Sequence, residues 1–421
     1  MKMRRKIRVG VVGIGRGGSF ARGAGDAVGM ELVALCDTWA DKLREVKRQF
    51  AAAGRRVATY VDYQKFLAHD MDAVILANYF HEHAQFAIQA LKAGKHVMSE
   101  TTACMTLGLG VELVETVAKT GRTYMFAENY PYMVFNQEMR RLYRAGHIGR
   151  FLYGEGEYVH PISAEGAHAL TPGADHWRAW IPATYYCTHS LAPVMFITDT
   201  LPVKVNGFVI PYDRDDPHTT GTLRRNDTAS AIVVRMDNGA VVKLLQYHLR
   251  GHGNFVRIHG NRGLMENLRW GDTQMLRVRK EPFDKAEGEP VERIYRPEFP
   301  AWAAEAQKGG HGGGDFFMNH EFATAIRTGR PPFLDVYRGV AMSAVGIQAY
   351  RSALADSAPM EIPNFRRKAD RDRYRQDHWT AVPAEHKAGD PAPSILGDIK
   401  PTRQALLLAR KVWKAKGYDI R

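Results

Sequence analysis

The first third of the chain reads as an α/β domain built on a doubly wound parallel sheet, and three observations lead there. A β-branched run at 7–12 ends in Gly13-Ile14-Gly15-Arg16-Gly17-Gly18, a G-x-G-x-x-G turn set between a strand pattern and a helix-compatible stretch at 19–28. A second strand pattern, 31–36, ends in Asp37, about 20 residues beyond the glycines. Short apolar runs then alternate with helical patterns as far as residue 127, the rhythm of parallel strands joined by crossover helices.

Each glycine has a physical task. One makes the tight turn, one lets the backbone approach a pyrophosphate, and one lets helix and strand pack closely. The helix that follows offers its first amides and a partial positive charge to the phosphates. Asp37 can hold both ribose hydroxyls of adenosine and repels a 2′-phosphate, so the pattern predicts NAD as cofactor, not NADP. The same carboxylate also suits a cap for the helical stretch 38–50. Next come a strand at 56–60, a short helix at 63–68, a buried strand at 73–77, a helix at 82–93 and a strand at 96–99. A helix at 107–120 and a strand at 123–127 complete the pattern. Ligands of such sheets bind beyond the C-terminal ends of the strands, which here are 78–83, 100–102 and 128–129. The candidate cofactor residues are therefore Gly13, Gly15, Arg16, Gly17, Gly18, Asp37, Asn78, Phe80, His83, Glu100, Thr101 and Asn129.

The totals set outer limits. At 421 residues the chain exceeds what one core usually supports, so at least two domains are expected. No stretch approaches the roughly 20 apolar residues of a bilayer span. The basic start at 1–6 leads into a short, glycine-broken run that reads as a first strand, not a signal peptide, which predicts a cytoplasmic protein. Cys36, Cys104 and Cys187 form no close pair, as suits a reducing compartment. The net charge of +13 is spread along the chain, densest at 366–375 and 410–416, without a nucleic-acid-binding module. It reads as a generally basic surface, with no nucleic-acid or membrane partner.

Further along, 151–159 is strand-like, and 228–234 with 240–248 reads as a hairpin turned at Asp237-Asn238-Gly239. The run 255–259 extends that sheet. Helices are expected at 315–328 and 337–354, an extended surface tail at 366–398, and an amphipathic terminal helix at 402–416. The expected domains are 1–127, 128–362 and a tail with terminal helix, 363–421.

The glycine turn, Asp37, His83-Ala84 with Ala90-Leu91-Lys92-Ala93-Gly94-Lys95-His96-Val97, and Glu100 together resemble the glucose–fructose oxidoreductase/inositol dehydrogenase/MocA family. The resemblance implies a Rossmann domain followed by an α/β domain on an open, mostly antiparallel sheet, and a homodimer or homotetramer. Dehydrogenases of that family usually carry Glu-Lys-Pro where this chain has Glu100-Thr101-Thr102. Thr101 is neither an ammonium donor nor a proton shuttle near neutral pH.

A narrower resemblance accommodates the loss. Glu128-Asn129-x-x-Tyr132, Tyr158-x-His160, Tyr186-Cys187-Thr188-His189-Ser190-Leu191-Ala192-Pro193 and His311-Gly312-Gly313-Gly314-Asp315 resemble motifs of glycoside hydrolase family 109, the NAD-dependent α-N-acetylgalactosaminidases. Cys187 stands where that family has proline, and Thr101-Thr102 where it has an apolar pair. The resemblance implies a redox-neutral glycosidase: oxidation at the sugar's C3, elimination across C2 and C1, addition of water, and reduction. It places Tyr158, Tyr186, His189 and His311 as catalytic residues, and Glu128 and His160 with Tyr158, Tyr186 and His189 around a carbohydrate substrate, to which the residues themselves add Arg178.

The residues themselves leave alternatives open. Histidine exchanges protons near neutral pH, and a Tyr186–His189 spacing of three puts both on one face if they begin a helix. Tyr158 also suits a strand core, His160 a plain loop, and His311 a flexible glycine loop. Arg178, in His176-Trp177-Arg178-Ala179-Trp180, suits a substrate clamp between two indoles or a surface arginine packed on tryptophan. No carboxylate or cysteine stands at ligand-like spacing from these histidines, so no metal is expected. An NAD-dependent sugar or cyclitol dehydrogenase and a non-enzymatic NAD- and sugar-binding regulator are the competing functions.

Overall fold

The computed structural model describes residues 5–251 and 253–418. The chain forms two compact units, neither continuous in sequence: Met1–Arg141, Pro297–Val340 and Phe365–Gln376 make the first, and Leu142–Arg296, Ala341–Asn364 and Asp377–Arg421 the second. This division differs from the expected one, because the stretch set apart as a tail is shared between the units.

The first unit holds six strands, β1 (Ile7–Val12), β2 (Met30–Cys36), β3 (Ala58–Tyr60), β4 (Ala73–Leu76), β5 (His96–Ser99) and β6 (Tyr124–Phe126). They lie in the order β3-β2-β1-β4-β5-β6 and every pairing is parallel, so the order reverses between β1 and β4. Val9, Val11 and all four residues of β4 are fully buried, as expected where helices cover both faces of a parallel sheet. Each such valine, isoleucine or leucine side chain contributes about 1.5–3 kcal/mol by its removal from water.

Two local expectations need correction. The helix read over 19–28 is Gly17–Gly23, followed by a separate 3₁₀ turn at Asp26–Val28. The sequence Gly23-Ala24-Gly25 explains the break, since glycine is a poor helix residue. Asp37 caps no helix: the next one is Ala40–Ala52, it begins after Trp39, and no side chain caps it. The helix Gly314–Thr328 closes this unit over Gly17–Gly23, with Asn319 Nδ2 donating to the Phe20 carbonyl at 3.2 Å. In place of the extended tail, Lys368–Tyr374 is helical. Arg375 beside it holds Glu115 of the helix Leu107–Thr120 at 2.6 and 2.8 Å.

The second unit holds β7 (Phe151–Val159), β8 (Pro202–Ile210), β9 (Ala229–Met236), β10 (Val241–Tyr247), β11 (Gly253–Gly260), β12 (Gly263–Asn267), β13 (Leu276–Arg279), β14 (Glu292–Tyr295) and β15 (Met360–Glu361). The order is β14-β13-β12-β11-β7-β10-β9-β8-β15, with β7–β10 its one parallel pairing among the described residues. The β9–β10 hairpin turns where expected, with Gly239 at φ 86°. On β7, Gly154 and Gly156 share a face, as alternate strand residues must. The helix Thr188–Thr198 rests on them through Ser190 and Val194, which are one turn apart. A Cβ on Gly156 would lie 2.1 Å from the Ser190 carbonyl oxygen, so only glycine lets the helix backbone sit this low. Gln246 of β10 also bonds the Ser190 hydroxyl. The terminal helix Arg403–Lys416 packs Trp413 against Leu223, with its indole donating to the carbonyls of His168 (3.1 Å) and Thr171 (2.8 Å).

Candidate functional site

The candidate nucleotide residues lie beyond the C-terminal ends of β1, β2, β4, β5 and β6. Gly13 has φ 83°, and a Cβ there would lie 2.2 Å from the Ala77 carbonyl oxygen. A Cβ on Gly15 would meet no protein atom within 4 Å, which is the room a pyrophosphate requires. The helix Gly17–Gly23 has seven residues, so the turn's own amides matter more than a helix dipole. Asp37 accepts from the Ile14 amide and the Trp39 amide, both at 2.9 Å, and so staples the end of β2 to the glycine turn. Each of its oxygens keeps a lone pair for a ribose hydroxyl.

Three buried polar atoms in this group have no hydrogen-bond partner among the described residues: Asn78 Oδ1, Asn129 Oδ1 and His83 Nε2. Buried polar atoms are normally paired, so these three fit a bound dinucleotide. His83 Nδ1 lies 3.3 Å from the Thr102 carbonyl, and burial pushes the imidazole down to about 4. Phe80 is buried in the core.

Arg16 does more than the sequence suggested. Its guanidinium grips Asp315 at 2.8 and 2.9 Å and Glu100 at 2.7 Å, and Asp315 also accepts from Ser19. His311 Nδ1 stands 3.1 Å from the same carboxylate. Glu100, the residue before Thr101, is thus oriented by the glycine turn itself. Burial would push Asp315 up, but the contacts with His311 and Arg16 outweigh it and hold the carboxyl far below the usual range. A depressed carboxylate stabilises the fold above the ordinary carboxylate pKa, near 4, and that contribution is lost as pH falls below it. Asp315→Asn is therefore expected to cost about 1–2 kcal/mol at pH 7 and to flatten the acid side of the stability profile. Urea unfolding of both proteins across pH checks this; parallel profiles would mean that the pairing contributes nothing.

The second unit gathers the remaining candidates. The Tyr158 and Tyr186 rings stand edge-on to His189, at 4.7 and 4.8 Å between centroids, and lie 5.5 Å from each other. His160 stacks on Tyr158 at 5.5 Å. Tyr186 and His189 do not share a helix face, because the helix starts at Thr188 with Cys187 as its cap; Tyr186 sits in the turn before it. Arg178 lies 4.2 Å over Trp177 and 5.9 Å over Tyr186, so its partners are an indole and a phenol, not two indoles. Trp180 is buried and donates to the Asp175 carbonyl. Glu128 and His311 belong to the first unit, Glu128 fully buried and His311 half-exposed on Asp315.

Three neighbours escaped the sequence reading: Tyr247, His248 and Arg224. Tyr247 ends β10 at φ 95°, a strained conformation for a bulky residue. It packs 5.7 Å from Tyr186 and 4.1 Å from His248. Burial pushes its phenol up to about 12. The parallel pairing of β10 with β7 brings it here, and nothing local in the sequence signals that pairing.

A glycine-cradled Rossmann sheet and an open mixed sheet, the second carrying a tyrosine–histidine cluster, define an NAD-binding oxidoreductase fold. Residues 7–128 match the oxidoreductase family model GFO_IDH_MocA, NAD-binding Rossmann fold, and residues 212–371 match the glycosyl hydrolase 109 C-terminal domain. The chain thus carries a Gfo/Idh/MocA-type NAD-binding domain and a glycosyl hydrolase 109-type C-terminal domain. A glycosyl hydrolase family 109 protein of Solibacter usitatus is 28% identical over 405 residues, covering 86% of this chain and 88% of its own length. One from Saccharopolyspora erythraea is 28% identical over 392 residues, covering 86% and 83%. Among solved structures, levoglucosan dehydrogenase in complex with NADH and L-sorbose superposes with a TM-score of 0.71 at 20% identity, over 86% of this chain and all of that one. An oxidoreductase from Agrobacterium radiobacter in complex with NAD+, L-tartaric acid and magnesium gives 0.68 at 17%, over 85% and 98%. These last two likenesses are of fold. No helix among the described residues is long and apolar enough to cross a membrane.

Proposed function

We propose that the protein is an NAD-dependent glycosidase that cleaves its substrate without net oxidation. The observation that carries this reading is His189 held edge-on by two phenols, Tyr158 and Tyr186, in a chain whose Glu100 is followed by Thr101 and not by a lysine. The glycosyl hydrolase 109 match supports it.

When bound by the glycine turn, NAD would supply the hydride acceptor for oxidation at C3 and the donor for the later reduction. His189 takes the C3 hydroxyl proton as the ketone forms and gives it back on reduction. The ketone acidifies the C2 proton, which Tyr186 removes; the electron pair of the broken C2–H bond forms the C1–C2 double bond and expels the C1 substituent. Arg178 lies against the Tyr186 ring, and a guanidinium beside a phenol favours its charged form. Tyr158, in contact with both, relays the proton to the departing oxygen. Water then adds its hydroxyl at C1 and its proton at C2. The net change is hydrolysis. Asn78, His83 and Asn129 are assigned to the dinucleotide with the glycine turn, and His160, stacked on Tyr158, to the sugar.

A panel of α- and β-p-nitrophenyl glycosides, followed for both nitrophenol and NADH, tests the proposal. The expected result is nitrophenol without net NADH, abolished when NAD is removed. NADH without nitrophenol would mean a dehydrogenase, with His189 or Tyr186 in place of the missing lysine. Sugar binding with neither product would mean a regulator.

A further inference from the structure

Two arginines beside the tyrosine–histidine cluster, Arg224 and Arg178, make no salt bridge among the described residues. Arg224 is 6% exposed, and its Nε and Nη2 donate to neutral acceptors, Asn226 Oδ1 at 3.2 Å and the Asp227 carbonyl at 2.8 Å. It makes no salt bridge among the described residues. Two carboxylates are near it, but both are held elsewhere. Asp216 is gripped by Arg250 at 2.9 and 3.1 Å and by Thr219, and Asp227 by the Ser394 hydroxyl and the Ile395 amide. Burial lowers the Arg224 guanidinium to about 10, still charged at neutral pH. Arg178 likewise has no carboxylate among the described residues; it faces the phenols of Tyr186, Tyr247 and Tyr158. Both guanidinia act on Tyr247, and His248 feels Arg224, His160, Arg178 and His218 together.

A neutral sugar gives no reason for this arrangement. Arginine also donates to neutral hydroxyls, but a hydroxyl offers no negative charge, and a buried guanidinium without a salt bridge is costly unless an anion completes it. The planar fork of arginine matches two oxygens of a carboxylate, sulfate or phosphate. We propose that this cup takes a sugar bearing an anionic group, with Arg224 and Arg178 as its receptors. The inference rests on the reading of the cup as the sugar site, but not on cleavage there.

The test uses the full chain loaded with NAD and measures the binding of free sugars by calorimetry. Glucuronate and galacturonate, glucose 6-phosphate and galactose 6-sulfate are compared with glucose and galactose, so that the three anion types are separate arms. At least one anionic sugar is expected to bind about 10- to 100-fold more tightly than its neutral parent. Arg224→Gln should abolish that preference while leaving the neutral parent's affinity unchanged, and Arg224→Lys should keep part of it. Arg178→Gln gives a second reading should Arg224→Gln fail to fold. Equal binding of charged and neutral sugars, a preference surviving both glutamine variants, or no sugar binding at all would each overturn the inference. Nitrophenol release from neutral glycosides without anionic preference sinks this inference and leaves the glycosidase reading standing. Anionic preference, with no nitrophenol released from the p-nitrophenyl glycoside of the preferred anionic sugar, does the reverse.

Discussion

His189→Ala is expected to lower kcat for glycoside cleavage by about 10²- to 10⁴-fold, the usual range for removing a positioned acid–base group. Affinity for NAD should be unchanged, since every candidate nucleotide residue belongs to the other unit. The substitution also removes a ring that touches both Tyr158 and Tyr186, so part of any loss could be packing. Tyr186→Phe separates the two effects: it keeps the stack on Trp177 at 6.0 Å and removes only the hydroxyl. A loss of kcat in both variants, with substrate affinity nearly intact, fits proton transfer. A His189→Ala enzyme with kcat within a few fold of the parent would remove His189 from the mechanism.

Gly156→Ala should destabilise the second unit by about 3 kcal/mol, at the upper end of overpacking effects. The added methyl meets backbone, the Ser190 carbonyl oxygen at 2.1 Å, so no rotamer change can relieve it. The helix Thr188–Thr198 must lift from the sheet, and its first turn carries His189. For a unit of this size the expected fall in melting temperature is roughly 6–12 °C, read by calorimetry. Activity should fall below the melting point as well, because His189 and Tyr158 ride on the two surfaces being forced apart. An alanine variant with unchanged Tm and kcat would show that the glycine face does not set this spacing.

The Rossmann half was legible because its signals are local. The glycine turn, the strand runs and Asp37 lie within 31 residues, and each strand pattern from 7 to 99 became a strand within two residues of the expected bounds. The sugar half was legible as a list of residue types but not as a place. Tyr158 and Tyr186–His189 were visible, yet their meeting depends on two strand glycines whose role appears only once the helix is laid on them. Alternating glycines in a strand are themselves a sign of close backbone approach, and Gly154-x-Gly156 could have been read that way. Tyr247 and Arg224 had no such signal, since one arrives by a parallel pairing and the other by a loop held in place by Asn226 and Asp227. The helix Lys368–Tyr374 within the stretch read as an extended tail was missed because its arginines looked like a solvated surface, whereas Arg371 and Arg375 find Glu115 more than 250 residues earlier.

The bond between Arg16 and Asp315 spans 299 residues. A ribosome adds about 5–20 residues each second, so Arg16 waits roughly 15–60 s for its partner to be made. Through that interval the helix Gly17–Gly23 lacks the helix Gly314–Thr328 that covers it, and the whole sheet of the second unit but β15 is synthesised meanwhile. The nucleotide unit is begun first and finished late. Substitutions in Pro297–Val340 are therefore expected to weaken cofactor binding from a distance in sequence, by denying an early-made sheet the segment that completes it.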